Sequence, residues 1–239
     1  MSDLDNILQR FNISPETLKE NDRVEKEREY KEKQREAEEA KKSRDMILAN
    51  FPARFKDSAF DNYLFDVDEE FSKKQRHLIH VLLEGKSLVM FGNNGTGKTR
   101  LAFASMRDKV LKGESVYYMT ASEFFDEVKM TFNNTIKVSD VLENYLGYDH
   151  LFIDEVDKSY GTITEFIALF RLVDKRYLQL KQTVLMANAD DDKDSDKYVI
   201  KVIGRSTYER IVEDGTAIYM NWKSFRARRK VKDETLRII

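Results

Sequence analysis

A doubly wound α/β nucleotide-binding domain with a five-stranded parallel sheet, preceded by an N-terminal helical extension, is the fold class this sequence predicts. Three observations predict it. From Phe51 onward, short apolar runs alternate with helix-length amphipathic stretches, the order a parallel sheet requires. The first run, Ser87 to Phe91, leads into Gly92-Asn93-Asn94-Gly95-Thr96-Gly97-Lys98-Thr99, which fits the phosphate-loop spacing G-x-x-x-x-G-K-[ST]. A later run, Leu151-Phe152-Ile153, ends in the acid pair Asp154-Glu155.

The elements follow in order. Leu4, Ile7, Leu8 and Phe11 share one face of a short helix, a stripe that either packs on the main domain or docks on a partner. Ser14-Pro15-Glu16 reads as a cap, a first helical position and a dipole-compatible acid opening a second helix. Asn21 to Asp45 is almost wholly charged or amide residues and contributes little to any core. Glu25/Arg28, Glu27/Lys31, Glu32/Arg35 and Glu38/Lys42 support a solvated helix there. This divides the chain into residues 1–49, a helical region and charged tether, and residues 50–239, the nucleotide-binding domain.

In the second part, strands are expected at Ser87 to Phe91, Ser115 to Met119, His150 to Asp154, Thr183 to Ala187 and Thr216 to Met220. Helices are expected near Lys98 to Leu111, Ala121 to Phe132, Ser139 to Tyr145, Thr164 to Leu180 and in a segment ending near Val212. His77 and His80 read as ordinary helix residues, and the acid-rich run Asp190 to Asp196 as a mobile loop.

Composition sets the outer limits. The chain has 239 residues, no cysteine and a formal net charge of -2. Without cysteine there is neither a disulfide framework nor a thiolate zinc site. No basic leader or membrane-length apolar run is present, so a cytoplasmic protein is expected.

The chemistry concentrates around the phosphate loop. Its glycines let backbone N–H groups turn inward around phosphate oxygens, and the next helix adds the positive end of its dipole. Gly92 through Thr99, with Arg100 following, are therefore candidate nucleoside-triphosphate-binding residues, Lys98 reaching the terminal phosphates. Thr99 and Asp154 are candidate Mg²⁺ ligands, Asp154 through the ion's water shell. Glu155 is suited to orient and deprotonate an attacking water. Asn188, just beyond the fourth strand, is placed either to bond a terminal phosphate and that water or simply to turn the chain.

Together with Ile203-Gly204, Glu209-Arg210 and Asn221-Trp222-Lys223-Ser224-Phe225-Arg226, these motifs resemble the DnaC/DnaI helicase-loader family of AAA+ ATPases over about residues 50 to 230. The leading segment, with Phe51-Pro52-Ala53-Arg54-Phe55 and Ala59-Phe60-Asp61-Asn62, is similar too, and IstB-type transposition ATPases share most of the pattern. The resemblance implies a partner- and DNA-stimulated ATPase that loads a DnaB-type hexameric replicative helicase onto single-stranded DNA. The alternative it implies is a transposition helper that binds duplex DNA and a transposase. It implies self-association of the ATPase modules, with Arg210 a finger reaching a neighbouring subunit's nucleotide or, failing that, an ion-pair partner of Glu209 or Glu213. Where the family carries a further arginine, this chain has Ser206. No helical C-terminal lid is expected after Arg226, and the cysteine-based zinc module of DnaI-like loaders has no counterpart.

In this reading Leu4, Ile7, Leu8 and Phe11 grip the helicase. Lys129, Lys158 and Tyr160 are the candidate single-stranded-DNA contacts, combining charge for phosphates with a ring for stacking. Phe124, Phe125 and Phe132 are either further stacking contacts or, as their helical spacing favours, core residues, and the basic residues from Arg226 to Lys232 are either phosphate contacts or a solvated end.

Overall fold

The computed structural model describes residues 15–133, 137–159 and 161–226. The expectations for Leu4, Ile7, Leu8, Phe11, Tyr160 and the basic residues beyond Arg226 lie outside them. The chain divides into two compact units, Met1–Asn50 and Phe51–Ile239.

In the first unit, one helix, α1 (Pro15–Ala49), runs for 35 residues. At 1.5 Å per residue it is about 50 Å long. Two segments expected as separate helices are one element, because no glycine or proline interrupts the chain between Pro15 and Pro52. Exposed ion pairs stud it, Lys31 to Glu27 at 2.7 Å and Lys42 to Glu38 at 3.1 Å, while Arg35 turns to Glu39 rather than Glu32.

In the second unit α2 (Glu69–Leu83) is capped by Asp68, whose carboxylate accepts from the N–H groups of Glu70 and Phe71. The core then alternates: β1 (Leu88–Gly92), α3 (Lys98–Leu111), β2 (Val116–Thr120), α4 (Ala121–Met130), α5 (Val138–Leu146), β3 (His150–Asp154), α6 (Ile163–Leu178), β4 (Gln182–Ala187), α7 (Val199–Ile203), α8 (Arg205–Asp214) and β5 (Thr216–Met220). All pairings are parallel, in the order β2-β3-β4-β1-β5. β1, β3 and β4 are buried along their whole length, which is why they read as unbroken apolar runs.

The register pairs Phe91 with Ala187, Thr120 with Asp154 and Gly92 with Met220. The ends of β1, β3 and β4 therefore open on one edge of the sheet, the edge that carries Gly92, Asp154 and Asn188.

Two further expectations change. Phe124 and Phe125 are buried in the core, but Phe132 is 60% exposed, because α4 ends at Met130 and a short 3-10 turn carries Phe132 off the helix face. The acidic run is a tied turn rather than a loose loop. Asp190 accepts from Ser195 Oγ at 2.6 Å and from the N–H of Asp192, and its own N–H donates to Lys197 O, so the carboxylates cap local backbone donors.

At the opposite edge of the sheet, Arg176 of α6 is wholly buried. Its guanidinium donates to the carbonyls of Tyr145, Tyr148, Asp149 and Gln182 and to Thr183 Oγ1, pinning the starts of β3 and β4. Burial lowers its pKa to about 10.

Candidate nucleotide site

The phosphate loop joins β1 to α3, and the expected glycines carry the strained backbone. Gly92, Gly95 and Gly97 all have positive φ, and a Cβ on Gly95 would collide with Ser224 Oγ. Lys98 folds back over the loop and donates to Gly92 O at 2.8 Å and Asn93 O at 2.9 Å. Burial, its largest influence, lowers the ammonium pKa to about 8; Asp154 and Asp157 oppose that fall, and Arg226 adds to it. Thr96 Oγ1 donates to Asn93 O, which closes the loop on itself. Arg100 is engaged elsewhere, its Nη2 bonded to Asn62 Oδ1 at 2.8 Å.

Thr99 Oγ1 donates to Asp154 Oδ2 at 2.7 Å across 55 residues of sequence. The same oxygen accepts from Tyr118 Oη at 3.1 Å, a neighbour on β2 that sequence reading passed over. Burial and that contact push the Tyr118 hydroxyl pKa up, so it remains a donor. A hydroxyl and a carboxylate side by side are the donor set that hydrated Mg²⁺ takes beside a bound phosphate. Among the described residues no group of three or more His, Cys, Asp or Glu is placed to hold a metal unaided. A hard ion would thus fit here only with phosphate and water completing its shell.

Glu155 follows in the left-handed region, φ 56 and ψ 39, with its N–H on Asp154 Oδ1 at 2.8 Å. A non-glycine residue in that region is uncommon and costs free energy, and such outliers concentrate at functional sites. Asn188 stands one residue beyond the Phe91–Ala187 pair. Its N–H and Nδ2 both donate to Asp157, an acid in the turn after β3 that the sequence reading did not single out.

The segment after β5 closes over the loop from outside. Trp222 is 1% exposed and donates from Nε1 to Thr96 O at 2.9 Å. Phe225 N–H donates to Gly95 O at 2.9 Å, and its ring lies 5.9 Å from that of Tyr63. These residues were recognised as a motif in the sequence, but their place over the loop was not legible there.

The other candidates are scattered. Arg210 on α8 makes ion pairs within its own chain, Nε with Asp174 at 2.9 Å and Nη1 with Glu213 at 2.8 Å, and stacks over Tyr177. Arg205 occupies Glu209, which accounts for that acid. Lys129 lies 3.4 Å from Glu165, and Lys158 is 3.4 Å from Asp157 and largely exposed. α4 packs on both α6 and the turn Val156–Lys158, so the two lysines belong to one flank.

Strand order, a phosphate loop between β1 and α3, and an acid pair after β3 define a P-loop protein with the AAA+ arrangement. More particularly, the family model described as IstB-like ATP binding protein matches residues 16–233, and the chain belongs to that family. It is 26% identical over 175 residues to the replicative helicase loader DnaC of Escherichia coli K12, covering 71% of this chain and 69% of that protein. It is 28% identical over 144 residues to the same-named loader of Buchnera aphidicola subsp. Baizongia pistaciae, covering 59% and 56%.

Among solved structures, a DnaC helicase loader superposes with TM-score 0.57 at 20% identity, over 70% of this chain and 99% of that one. The replication initiator DnaA bound to AMPPCP and single-stranded DNA gives 0.56 at 19% identity, over 77% of this chain and 56% of that one. This chain thus spans little more than half of that initiator, and at these identities the structural likeness establishes the fold alone.

Proposed function

We propose that this protein is an ATP-dependent loader of a DnaB-type hexameric replicative helicase onto single-stranded DNA. The observation that carries the reading is a complete phosphate loop set against the Thr99–Asp154 pair, in a chain whose curated relatives bear the loader name. Those relatives favour a loader over a transposition helper.

In this reading residues 50–239 form the ATPase module. The loop N–H groups of Gly95, Gly97, Lys98 and Thr99 hold the phosphates. Lys98 exchanges its two loop carbonyls for phosphate oxygens, and Thr99 parts from Asp154. Bound Mg²⁺ would neutralise phosphate charge there. Glu155 orients a water and accepts its proton, and Asn188 fixes the same water or a phosphate oxygen. Arg210 leaves Asp174 and Glu213 to complete a neighbouring subunit's site when ATP-bound modules associate. Lys129, Lys158 and Tyr160 bear on single-stranded DNA, and Leu4, Ile7, Leu8 and Phe11 in residues 1–49 bear on the helicase. Such a protein works in the bacterial cytoplasm, where hydrolysis is weak until helicase and DNA stimulate it.

The test is a native mass determination of the cognate helicase with this protein and ATP, beside binding to single-stranded and duplex DNA. A stoichiometric complex and a preference for single strands are expected. No complex, with duplex preferred, would move the assignment to the transposition helper.

A further inference from the structure

We propose that Asp157 is a positioning residue of the nucleotide site: it sets the amide of Asn188 and ties it to the turn that carries Lys158. The inference rests on the nucleotide-site reading above and deepens it.

Asp157 sits in the 3-10 turn Val156–Lys158, directly after the strained Glu155, and its side chain is 10% exposed. Its Oδ1 accepts the backbone N–H of Asn188 at 2.8 Å, and both its oxygens lie 3.3 Å from Asn188 Nδ2. A carboxylate only accepts, so the amide must present nitrogen to Asp157, which fixes the side-chain plane. Asn188 Oδ1 and the second Nδ2 hydrogen are then left for other partners. A free asparagine at a strand end would populate both flips; this one is held in one.

The same carboxylate reaches further. Oδ2 is 3.4 Å from Lys158 Nζ, on the flank that also carries Lys129. Its charge also helps hold Lys98 protonated against burial. One side chain therefore touches the end of β4, the turn after β3 and, through its field, the phosphate-loop lysine. A triphosphate that draws Asn188 toward its terminal group pulls on Asp157, and Lys158 moves with it. No other described side chain bridges Asn188 to that turn by a hydrogen bond.

The experiment compares the full-length wild type with Asp157→Ala, Asp157→Asn, Asn188→Ala and the double variant Asp157→Ala/Asn188→Ala. It measures kcat, the ratio of ATP to ADP affinity, stimulation by single-stranded DNA, and melting temperature. Asp157→Ala is expected to lower kcat by about 10- to 100-fold, as a displaced catalytic-site group does, with ADP affinity within about two-fold of wild type. The preference for ATP over ADP and the DNA stimulation should both shrink. Asp157→Asn keeps an acceptor for the Asn188 N–H and should recover most of kcat. The double variant should be no slower than Asn188→Ala alone, because the two residues act as one unit.

Unchanged kcat in Asp157→Ala, multiplicative losses in the double variant, or ATP and ADP affinities falling together with the melting temperature would overturn the proposal. If wild type binds no ATP and Lys98→Ala changes nothing, the nucleotide-site reading itself fails. If wild type is active and Asp157→Ala is equally active, only this inference fails.

Discussion

Replacing Trp222 by phenylalanine tests whether the segment after β5 holds the phosphate loop in shape. Trp222 is the chain's single tryptophan, its indole N–H is bonded to Thr96 O, and both residues are buried. Phenylalanine keeps a ring beside Phe71, whose centroid lies 6.5 Å from that of the indole, but removes the donor. A carbonyl left buried and unpaired costs about 1–3 kcal/mol, and the smaller ring adds about 1 kcal/mol of lost packing. A total of about 2–4 kcal/mol in a unit of this size corresponds to a melting temperature lower by about 4–16 °C. Part of that loss is order in the loop itself, so ATP should bind about 5- to 10-fold more weakly.

Circular dichroism melting and titration with a fluorescent nucleotide measure the two effects. In the wild type the lone indole should report ATP binding directly, through a change in its emission. A variant within about 0.5 kcal/mol of wild type and with unchanged ATP affinity would refute the claim that this segment supports the loop.

Four further outcomes are expected. Lys98 is charged below pH about 8 and neutral above it, whereas an unfolded lysine keeps its proton to about 10.5. The unfolded state thus binds more protons between those values, and apo-protein stability should rise with pH across that window. ATP, which needs the ammonium, should bind about four-fold more weakly at pH about 8.5 than at neutral pH, a loss that calorimetric titration would detect and that a flat profile would exclude. Arg176→Met strips the donors from four backbone carbonyls and should cost about 3–5 kcal/mol in chemical denaturation. Glu155→Gln should retain ATP binding while hydrolysis falls by about 10²- to 10⁴-fold; a wild-type rate would remove Glu155 from the reaction.

The sheet was legible because its inner strands are buried on both faces and leave unbroken apolar runs. Phe152 and Val184 are examples, each wholly buried between helical layers. The phosphate loop was legible because glycine at Gly95 and Gly97 answers a backbone demand that other residues meet only with strain. What escaped depends on contacts distant in sequence. Trp222 meets Thr96 across 126 residues, and nothing near either one announces it. Arg176 follows Lys175 in what looks like an exposed helix face, and only the fold reveals the ring of carbonyls around it. Asp157 was hidden among neighbouring acids, since a third carboxylate after Asp154-Glu155 looks like a solvated turn. Phe132 was misjudged because helical spacing was carried past the end of α4.

The central claim is that ATP held in this loop drives a hexameric helicase onto single-stranded DNA. Its most direct measurement is the amount of cognate helicase that becomes topologically bound to a single-stranded DNA circle in the presence of ATP and this protein, wild type or Lys98→Ala. The account predicts ATP-dependent loading by the wild type and its loss in Lys98→Ala with both proteins folded. Loading that is equal with the two proteins, or absent with both while the helicase is bound, would contradict it.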